Sequence, residues 1–173
     1  MTISPQTLKK YVKRANVFIE TGTYLGYTTQ VAAGLGFKKI YTIELAQNYY
    51  DLSKAKLSSF PQIECIFGDS QVELSKILDR LNEKAVFWLD GHFSGGDTGR
   101  GIDAVPLYKE LEIIQTHHIK NHVLLIDDIR LLGNEWRTLS LDGIKERCLA
   151  INKDYKFTFE NGHVHNDILV VCQ

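Results

Sequence analysis

Short runs of apolar residues recur along the chain, and longer segments with apolar residues at helical spacing lie between them. The apolar runs are continuous, which is typical of strands buried on both faces of a sheet. They cover residues 17 to 20, 39 to 44, 63 to 68, 85 to 90 and 122 to 127. The helical segments cover residues 26 to 37, 46 to 60, 71 to 82 and 105 to 118. This alternation predicts a parallel sheet with helices on both faces.

The pattern changes near the C-terminus. Residues 155 to 161 and 163 to 173 predict two strands, joined at the turn-forming pair Asn161 and Gly162. We therefore expect an antiparallel hairpin at one edge of the sheet. No repeat, low-complexity tract or linker interrupts the chain. The sequence thus predicts one domain over residues 1 to 173, an α/β fold of the Rossmann-like three-layer α/β/α type with a mostly parallel seven-stranded sheet.

Composition narrows the cellular setting. The 173 residues include 20 Lys plus Arg and 21 Asp plus Glu, so no strong field would attract a polyanion, and we expect no nucleic-acid partner. No apolar run approaches the roughly 20 residues that span a bilayer, and the first residues lack the apolar core of a signal peptide. Cys65, Cys148 and Cys172 have neither metal-binding nor redox spacing. We expect a cytoplasmic protein with reduced, buried thiols and no membrane partner.

Each predicted parallel strand ends in acidic residues. They are Glu20, Glu44, Asp69, Asp90 and the adjacent pair Asp127 and Asp128. Ligands of open α/β sheets bind in a crevice at the carboxyl ends of the strands, so we expect these side chains to converge there. A single acid after a strand is also common as a helix N-cap, and this alternative stays open for Asp69 in particular.

The first strand leads into a glycine-containing turn and then a helix. Gly22 and Gly26 permit a tight turn and the close approach of a ligand to the backbone. The spacing is not that of the GxGxxG fingerprint, which disfavours NAD and FAD. Glu44, at the end of the second strand, has the position of an acid that accepts hydrogen bonds from ribose hydroxyls.

The segments ETGTYLGYT (20 to 28), LDGH (89 to 92) and LIDD (125 to 128) closely resemble the catechol and caffeoyl-CoA O-methyltransferases, which are class I S-adenosylmethionine-dependent enzymes. The resemblance implies S-adenosyl-L-methionine as the cofactor and extends over about residues 15 to 130. It implies that the turn after the first strand holds the methionine part, that Glu44 holds the ribose and that the turn after the third strand lies near the adenine. The residues concerned are Glu20, Gly22, Thr23, Tyr24, Gly26, Glu44, Asp69 and Ser70.

Asp90, Asp127 and Asp128 are the predicted metal ligands. Neighbouring carboxylates at buried strand ends repel one another, and a bound cation removes that cost. Three carboxylate oxygens, completed by water and substrate, suit Mg²⁺. Metal-dependent O-methyltransferases place their ligands at the same two strand ends. The double Asp resembles the sugar O-methyltransferases of macrolide biosynthesis, whereas catechol-type enzymes have Asp followed by Asn, and this implies a sugar hydroxyl as acceptor.

His92 is the candidate general base, and Asp90 is grouped with it as catalytic. Methyl transfer from a sulfonium is an in-line displacement that needs an aligned and deprotonated acceptor oxygen. A neutral imidazole can take that proton, although a loop histidine is more often a simple hydrogen-bonding group. The catechol enzymes that this chain resembles have a lysine near this position, and this chain lacks that lysine. The remaining histidines are assigned no chemistry, and they are His117, His118, His122, His163 and His165.

The glycine-rich segment 94 to 103 is predicted to form a loop that closes over the acceptor. Arg100 within it either pairs with an acidic substrate group or is simply exposed. Few residues precede the first strand to cap the acceptor site. We therefore expect either a large acceptor, such as a glycan precursor, or a partner subunit, such as the second copy of a homodimer, that covers the site.

The sequence therefore predicts an S-adenosylmethionine-dependent methyltransferase that uses a divalent metal to methylate a hydroxyl of a small molecule or a sugar. Two other classes stay open. One is an NAD-dependent oxidoreductase on the same fold, which the missing glycine fingerprint disfavours. The other is a non-catalytic cofactor-binding subunit, which would have no use for three converging acids.

Overall fold

The computed structural model describes residues 3 to 93, 95 to 96 and 98 to 173, so positions 94 and 97 of the predicted glycine-rich loop lie outside it. The strands are Val17–Thr21 (β1), Lys39–Glu44 (β2), Ile63–Phe67 (β3), Ala85–Leu89 (β4), Val123–Ile126 (β5), Lys156–Glu160 (β6) and Ile168–Cys172 (β7). The α-helices are Pro5–Lys9 (α1), Tyr27–Leu35 (α2), Gln47–Leu57 (α3), Ser70–Leu78 (α4), Leu107–Thr116 (α5) and Leu141–Ile151 (α6), and a 3₁₀ turn covers Ile129–Leu131.

One seven-stranded sheet has the order β3-β2-β1-β4-β5-β7-β6. The first five strands pair in parallel, whereas β7 runs antiparallel to both β5 and β6. The predicted Rossmann-like sheet with an antiparallel C-terminal hairpin is therefore confirmed. The strand order reverses between β1 and β4, so a crevice opens where the carboxyl ends of these two neighbouring strands diverge.

The continuous apolar runs are explained by two hydrophobic clusters, one on each face of the sheet. Along β4, Phe87 belongs to one cluster, whereas Val86 and Trp88 belong to the other. The first cluster includes side chains of α4, α5 and α6, and the second includes side chains of α1 and α2. Because successive strand residues point to opposite faces, a central strand that is covered on both sides must be apolar throughout.

The apolar pattern did not predict α1 or α6. Ser4 caps α1 by accepting a hydrogen bond from the Thr7 amide at 3.0 Å, with proline as the first helical residue. Ser140 caps α6 by accepting one from the Gly143 amide, also at 3.0 Å. Both starts use a preferred N-cap residue, so a search for capping signals would have located them.

The second strand of the C-terminal hairpin is shorter than predicted. It begins at Ile168 rather than at residue 163, so His163 and His165 do not lie on a strand face. The Asp167 carboxylate accepts a hydrogen bond from the His163 amide at 3.0 Å, and this local bond replaces strand pairing. The connection between β6 and β7 is consequently a longer loop than a hairpin turn at Asn161 and Gly162 would give.

All three cysteines are free thiols. Cys148 is buried as expected, whereas Cys65 and Cys172 are only partly buried. No helix among the described residues combines the length and the apolar character needed to cross a membrane.

Two histidines form a buried hydrogen-bonded chain at the amino ends of β4 and β5. The Ala85 amide donates to His122 Nδ1 at 3.1 Å, so the neutral His122 ring carries its proton on Nε2. That Nε2–H donates to His117 Nδ1 at 2.9 Å, and His117 Nε2–H donates to the Leu81 carbonyl at 2.9 Å. Burial, with the neighbouring His117, lowers the pKa of His122 to about 3. The hydrogen-bond chain gives the pair a structural role.

We expect His122 to stay neutral far below its ordinary pKa of 6.5. Because the unfolded chain binds this proton first, the stability that neutral His122 contributes is complete above pH 6.5 and is lost as the pH falls toward 3. Ring ¹⁵N NMR at about pH 5 should show the neutral Nε2–H tautomer for His122. A charged His122 ring at that pH would contradict the hydrogen-bond chain.

Candidate functional site

A cavity of about 700 Å³ opens at the carboxyl ends of the parallel strands. Most predicted site residues line it, namely Gly22, Tyr24, Glu44, Asp69, Ser70, Asp90, His92 and Asp128. Four predicted site residues do not belong to its wall, namely Glu20, Thr23, Gly26 and Asp127. The structure therefore brings the two halves of the predicted site to one cavity, but it places some of the predicted contacts behind the wall.

The turn after β1 packs against the chain that leaves β4. Gly22 has a φ of +84°, and a Cβ atom added there would lie 2.9 Å from the carbonyl carbon of Asp90 and closer still to its oxygen. The Gly22 amide also donates to the Ile43 carbonyl at 3.0 Å. Both backbone conformation and space therefore require glycine, and the contact joins the two halves of the cavity.

Glu44 is held by backbone donors at the cavity wall. Its Oε2 accepts a hydrogen bond from the Tyr24 amide at 2.7 Å, and its Oε1 accepts one from the Ala46 amide at 2.8 Å. Tyr24 adopts a positive φ of 49° to make its bond, and its ring lies 4.5 Å from that of Tyr49 between centroids. Each carboxylate oxygen retains lone-pair capacity, so Glu44 can also accept hydrogen bonds from ligand hydroxyls.

Glu20 lies behind the wall rather than in it. Its buried carboxyl group accepts hydrogen bonds from the hydroxyls of Thr29 and Thr42, and Thr42 in turn pairs with Thr23 at 2.6 Å between the hydroxyl oxygens. Burial raises the pKa of Glu20 to about 7. Glu20 and Thr23 therefore support the turn from behind the residues that line the cavity, and the direct cofactor contact that the resemblance implied for them stays a prediction. Gly26 likewise faces Leu57, not the cavity.

Asp69 combines the two roles that the sequence left open. Its Oδ1 accepts a hydrogen bond from the Gln71 amide at 2.9 Å, which makes Asp69 the N-cap of α4. Its Oδ2 accepts a second bond from the Ile102 amide at 2.8 Å. Asp69 and Ser70 both line the cavity, so capping and ligand contact are compatible.

His92 lies between the carboxylates of Asp90 and Asp128. His92 Nε2 is 3.2 Å from an oxygen of Asp128, and Nδ1 is 3.7 Å from an oxygen of Asp90. These three side chains can each offer one ligand atom within 4.8 Å of the others, and all three line the cavity. The group can therefore hold a cation at the cavity wall.

Asp127 joins a different group from the one predicted. It is buried, and its Oδ1 accepts a hydrogen bond from the Asp128 amide at 2.9 Å. Its potential ligand atoms cluster with those of Asp128 and Asp167 instead of Asp90. Arg130 donates to both Asp128 and Asp167 and so offsets part of the negative charge. Asp128, with a left-handed φ of 60°, is the residue of the pair that lines the cavity.

The electrostatics of this region favour neutralisation of Asp90. Burial and the charges of Asp127 and Asp128 raise the pKa of Asp90 well above its ordinary value. Burial also lowers the pKa of His92, and the nearby Asp128 opposes that effect. Clustered carboxylates with a neutral imidazole are a chemically suitable donor set for a divalent cation.

Glu110 is a buried acid that the apolar pattern of α5 concealed. It is 1% exposed, it lies next to Gly91 under the cavity floor, and its Oε1 has no hydrogen-bond partner among the described residues. Burial raises its pKa to about 7, while the hydroxyls of Ser70 and Thr21 lower it. Arg130 and Asp167 were also missed: Arg130 follows the Asp127 and Asp128 pair by two residues, but its partner Asp167 lies in the distant loop before β7.

We expect Glu110→Gln to stabilise the protein increasingly as the pH rises from 4.5 to 7. The folded pKa of about 7 exceeds the ordinary 4.5, so the wild-type protein loses stability over that interval and the variant does not. The difference should approach about 3 kcal/mol at most, measured as the free energy of urea unfolding at pH 5 and 8. Glu112→Gln, on the exposed face of the same helix, controls for the loss of one charge. Equal effects of the two variants at both pH values would refute the assignment.

Comparison with known proteins supports the fold but gives no close relative. No protein-family profile matches the chain, and no curated protein matches it by sequence. The chain resembles an SAH-bound methyltransferase from Podospora anserina (TM-score 0.65, 13% identity, 97% of this chain and 75% of that one). It also resembles an O-methyltransferase from Bacillus cereus in complex with SAH (TM-score 0.61, 14% identity, 99% of this chain and 82% of that one). A third similar structure is that of an O-methyltransferase from Streptomyces achromogenes, involved in tomaymycin synthesis, in complex with SAM (TM-score 0.61, 13% identity, 98% of this chain and 79% of that one). At such low identity, these likenesses establish the shared fold alone.

Proposed function

We propose that the protein is an S-adenosylmethionine-dependent methyltransferase that methylates a hydroxyl group with the help of a divalent cation. The observation that carries the proposal is the single cavity that has Glu44 and Asp69 on one side and the Asp90, His92 and Asp128 group on the other. Three structures of the same fold hold SAM or SAH, which supports this cofactor.

The nucleoside half of the cavity suits a cofactor with an unphosphorylated ribose. Glu44, fixed by two backbone amides, accepts hydrogen bonds from the ribose hydroxyls. The turn at Asp69 and Ser70 supplies polar groups for the adenine. Gly22 and Tyr24 border the part of the cavity next to Asp90, where the methionine portion and its methyl group meet the acceptor.

The reacting half prepares the acceptor oxygen. The carboxylates of Asp90 and Asp128 would hold Mg²⁺ or another divalent cation, which leaves the ring of His92 between them for the role of base. When bound, such a cation lowers the pKa of a coordinated hydroxyl and helps to orient it. His92, which lines the cavity, accepts the hydroxyl proton in this scheme, and Asp128 next to its Nε2 stabilises the resulting charge. The buried carboxylate of Asp127 accepts a hydrogen bond from the Asp128 amide and so positions Asp128.

The rest of the cavity wall suits a polar acceptor. Arg130, Glu135 and His163 line it together with Phe93 and Leu131. These charged and polar side chains suit an acceptor rich in hydroxyls better than a planar aromatic one. We infer a hydroxyl acceptor of the polyol or sugar class, in keeping with the Asp127 and Asp128 pair.

Calorimetric titration with S-adenosylhomocysteine tests the cofactor assignment. The wild-type protein should bind it, and Glu44→Gln should weaken binding roughly 10-fold or more, because a charged acceptor for the ribose hydroxyls is lost. Glu146→Gln, an exposed residue of α6, is the matched control and should leave the affinity unchanged. Thermal protection by NAD but not by S-adenosylhomocysteine would instead favour an oxidoreductase.

Metal dependence is tested with Asp128→Asn. Binding of Mn²⁺, followed by electron paramagnetic resonance, should weaken at least ~10-fold because one charged oxygen ligand is lost. Affinity for S-adenosylhomocysteine should change little. In a screen of sugars and polyols with labelled cofactor, chelator should abolish transfer by the wild-type protein. Transfer that resists chelation would reject the metal role, and cofactor binding without transfer to any acceptor would favour a non-catalytic subunit.

A further inference from the structure

The loop that follows β4 is fastened to the nucleoside half of the cavity. Ile102 donates its amide hydrogen to Asp69 Oδ2 at 2.8 Å. The Gln71 side-chain amide, oriented to satisfy both groups, donates to Asp103 Oδ2 and accepts from the Asp103 amide, each at 3.1 Å. Three hydrogen bonds thus join Ile102 and Asp103 to the start of α4. The loop was predicted to cover the acceptor, and this part of it lies on the opposite side.

Two glycines in this segment are required by space and not by backbone conformation. Neither Gly99 nor Gly101 has a positive φ, so other residues could adopt their backbone angles. A Cβ atom at Gly99 would lie 2.8 Å from Leu45 Cγ. One at Gly101 would lie 3.1 Å from Asp69 Cγ and closer still to its Oδ2. The segment therefore packs too tightly on Leu45 and Asp69 to admit a side chain.

The glycines at the other end of the loop differ in both respects. Gly95 and Gly96 have positive φ values of 90° and 57°, and a Cβ atom added to either would meet no atom of the described residues within 4 Å. Gly95 and Gly96 allow the backbone to turn, whereas Gly99 and Gly101 allow the segment to pack on Leu45 and Asp69. The loop is therefore divided into a turn and a packed segment.

The packed segment forms part of the cavity. Gly99, Gly101 and Asp103 line it, as do Leu45 and Asp69, against which the segment packs. Leu45 follows Glu44 directly, so the segment borders the place assigned above to the ribose and the adenine. Residues after β4 thus contribute to a part of the cavity that the strand-end acids of β2 and β3 otherwise define.

We propose that residues 99 to 103 form a wall of the nucleoside-binding site, held in place by Asp69 and Gln71. The inference rests on the proposed function, because it takes the ligand to be the adenosyl group of the cofactor. The packed segment of the loop after β4 then contacts the nucleoside. Cofactor affinity consequently depends on a loop that the motif-based assignment left to the acceptor alone.

Calorimetric titrations with S-adenosylhomocysteine and with adenosine test this wall. Gly101→Ala forces the segment off Asp69, and Ile102→Pro removes the amide that donates to Asp69. We expect each variant to raise the Kd of both ligands roughly 10-fold. Gly34→Ala is the matched control, because Gly34 is an exposed residue of α2 where an added Cβ atom would meet no described residue within 4 Å, and it should leave both affinities unchanged.

The outcomes separate the two proposals. Wild-type protein that binds neither ligand overturns the proposed function and this inference together. Wild-type binding with unchanged affinities in Gly101→Ala and Ile102→Pro overturns the wall and leaves the function standing. A loss confined to S-adenosylhomocysteine also overturns it, since adenosine carries the nucleoside alone. Slower amide hydrogen exchange of Ile102 in the wild-type protein with adenosine bound would support the wall without any variant, and unchanged exchange would count against it.

Discussion

At Gly22 the turn after β1 packs so closely on the backbone of Asp90 that no side chain fits between them. The contact lies where the strand order reverses, so it joins the chain that serves the nucleoside to the chain that serves the reacting groups. The hydrogen bond from the Gly22 amide to Ile43 brings β2, and with it Glu44, into the same arrangement. The distance between the two halves of the cavity is thus set by backbone packing rather than by mobile side chains.

The acids around this contact are stabilised in different ways, and the difference indicates their roles. Threonine hydroxyls bind Glu20, and two backbone amides bind Glu44. Arg130 offsets the charge of Asp128. Asp90 is instead surrounded by other carboxylates, which raise its pKa together with burial. A cation at the group that includes Asp90 would relieve that repulsion. The unfavourable electrostatics and the proposed chemistry therefore occur at the same place.

The loop after β4 adds a second connection between the two halves. It leaves the sheet at Asp90, and its later residues bind Asp69 and Gln71 at the start of α4. Changes in this loop would therefore alter both ends of the cavity. Beneath it, the buried Glu110 lies next to Gly91 and faces Ser70, so the floor of the cavity also spans both halves.

The sequence by itself determined the sheet and the strand-end acids, because buried parallel strands need continuous apolar runs and their carboxyl ends share one edge. Glu44 and Asp90 could therefore be located from the pattern alone. Only the tertiary structure decided which acid of the Asp127 and Asp128 pair faces the cavity, since that choice depends on a left-handed backbone at Asp128. It also decided the contacts between distant segments, such as that of Asp69 with the loop after β4, because no local periodicity encodes which remote chain will fill a given space.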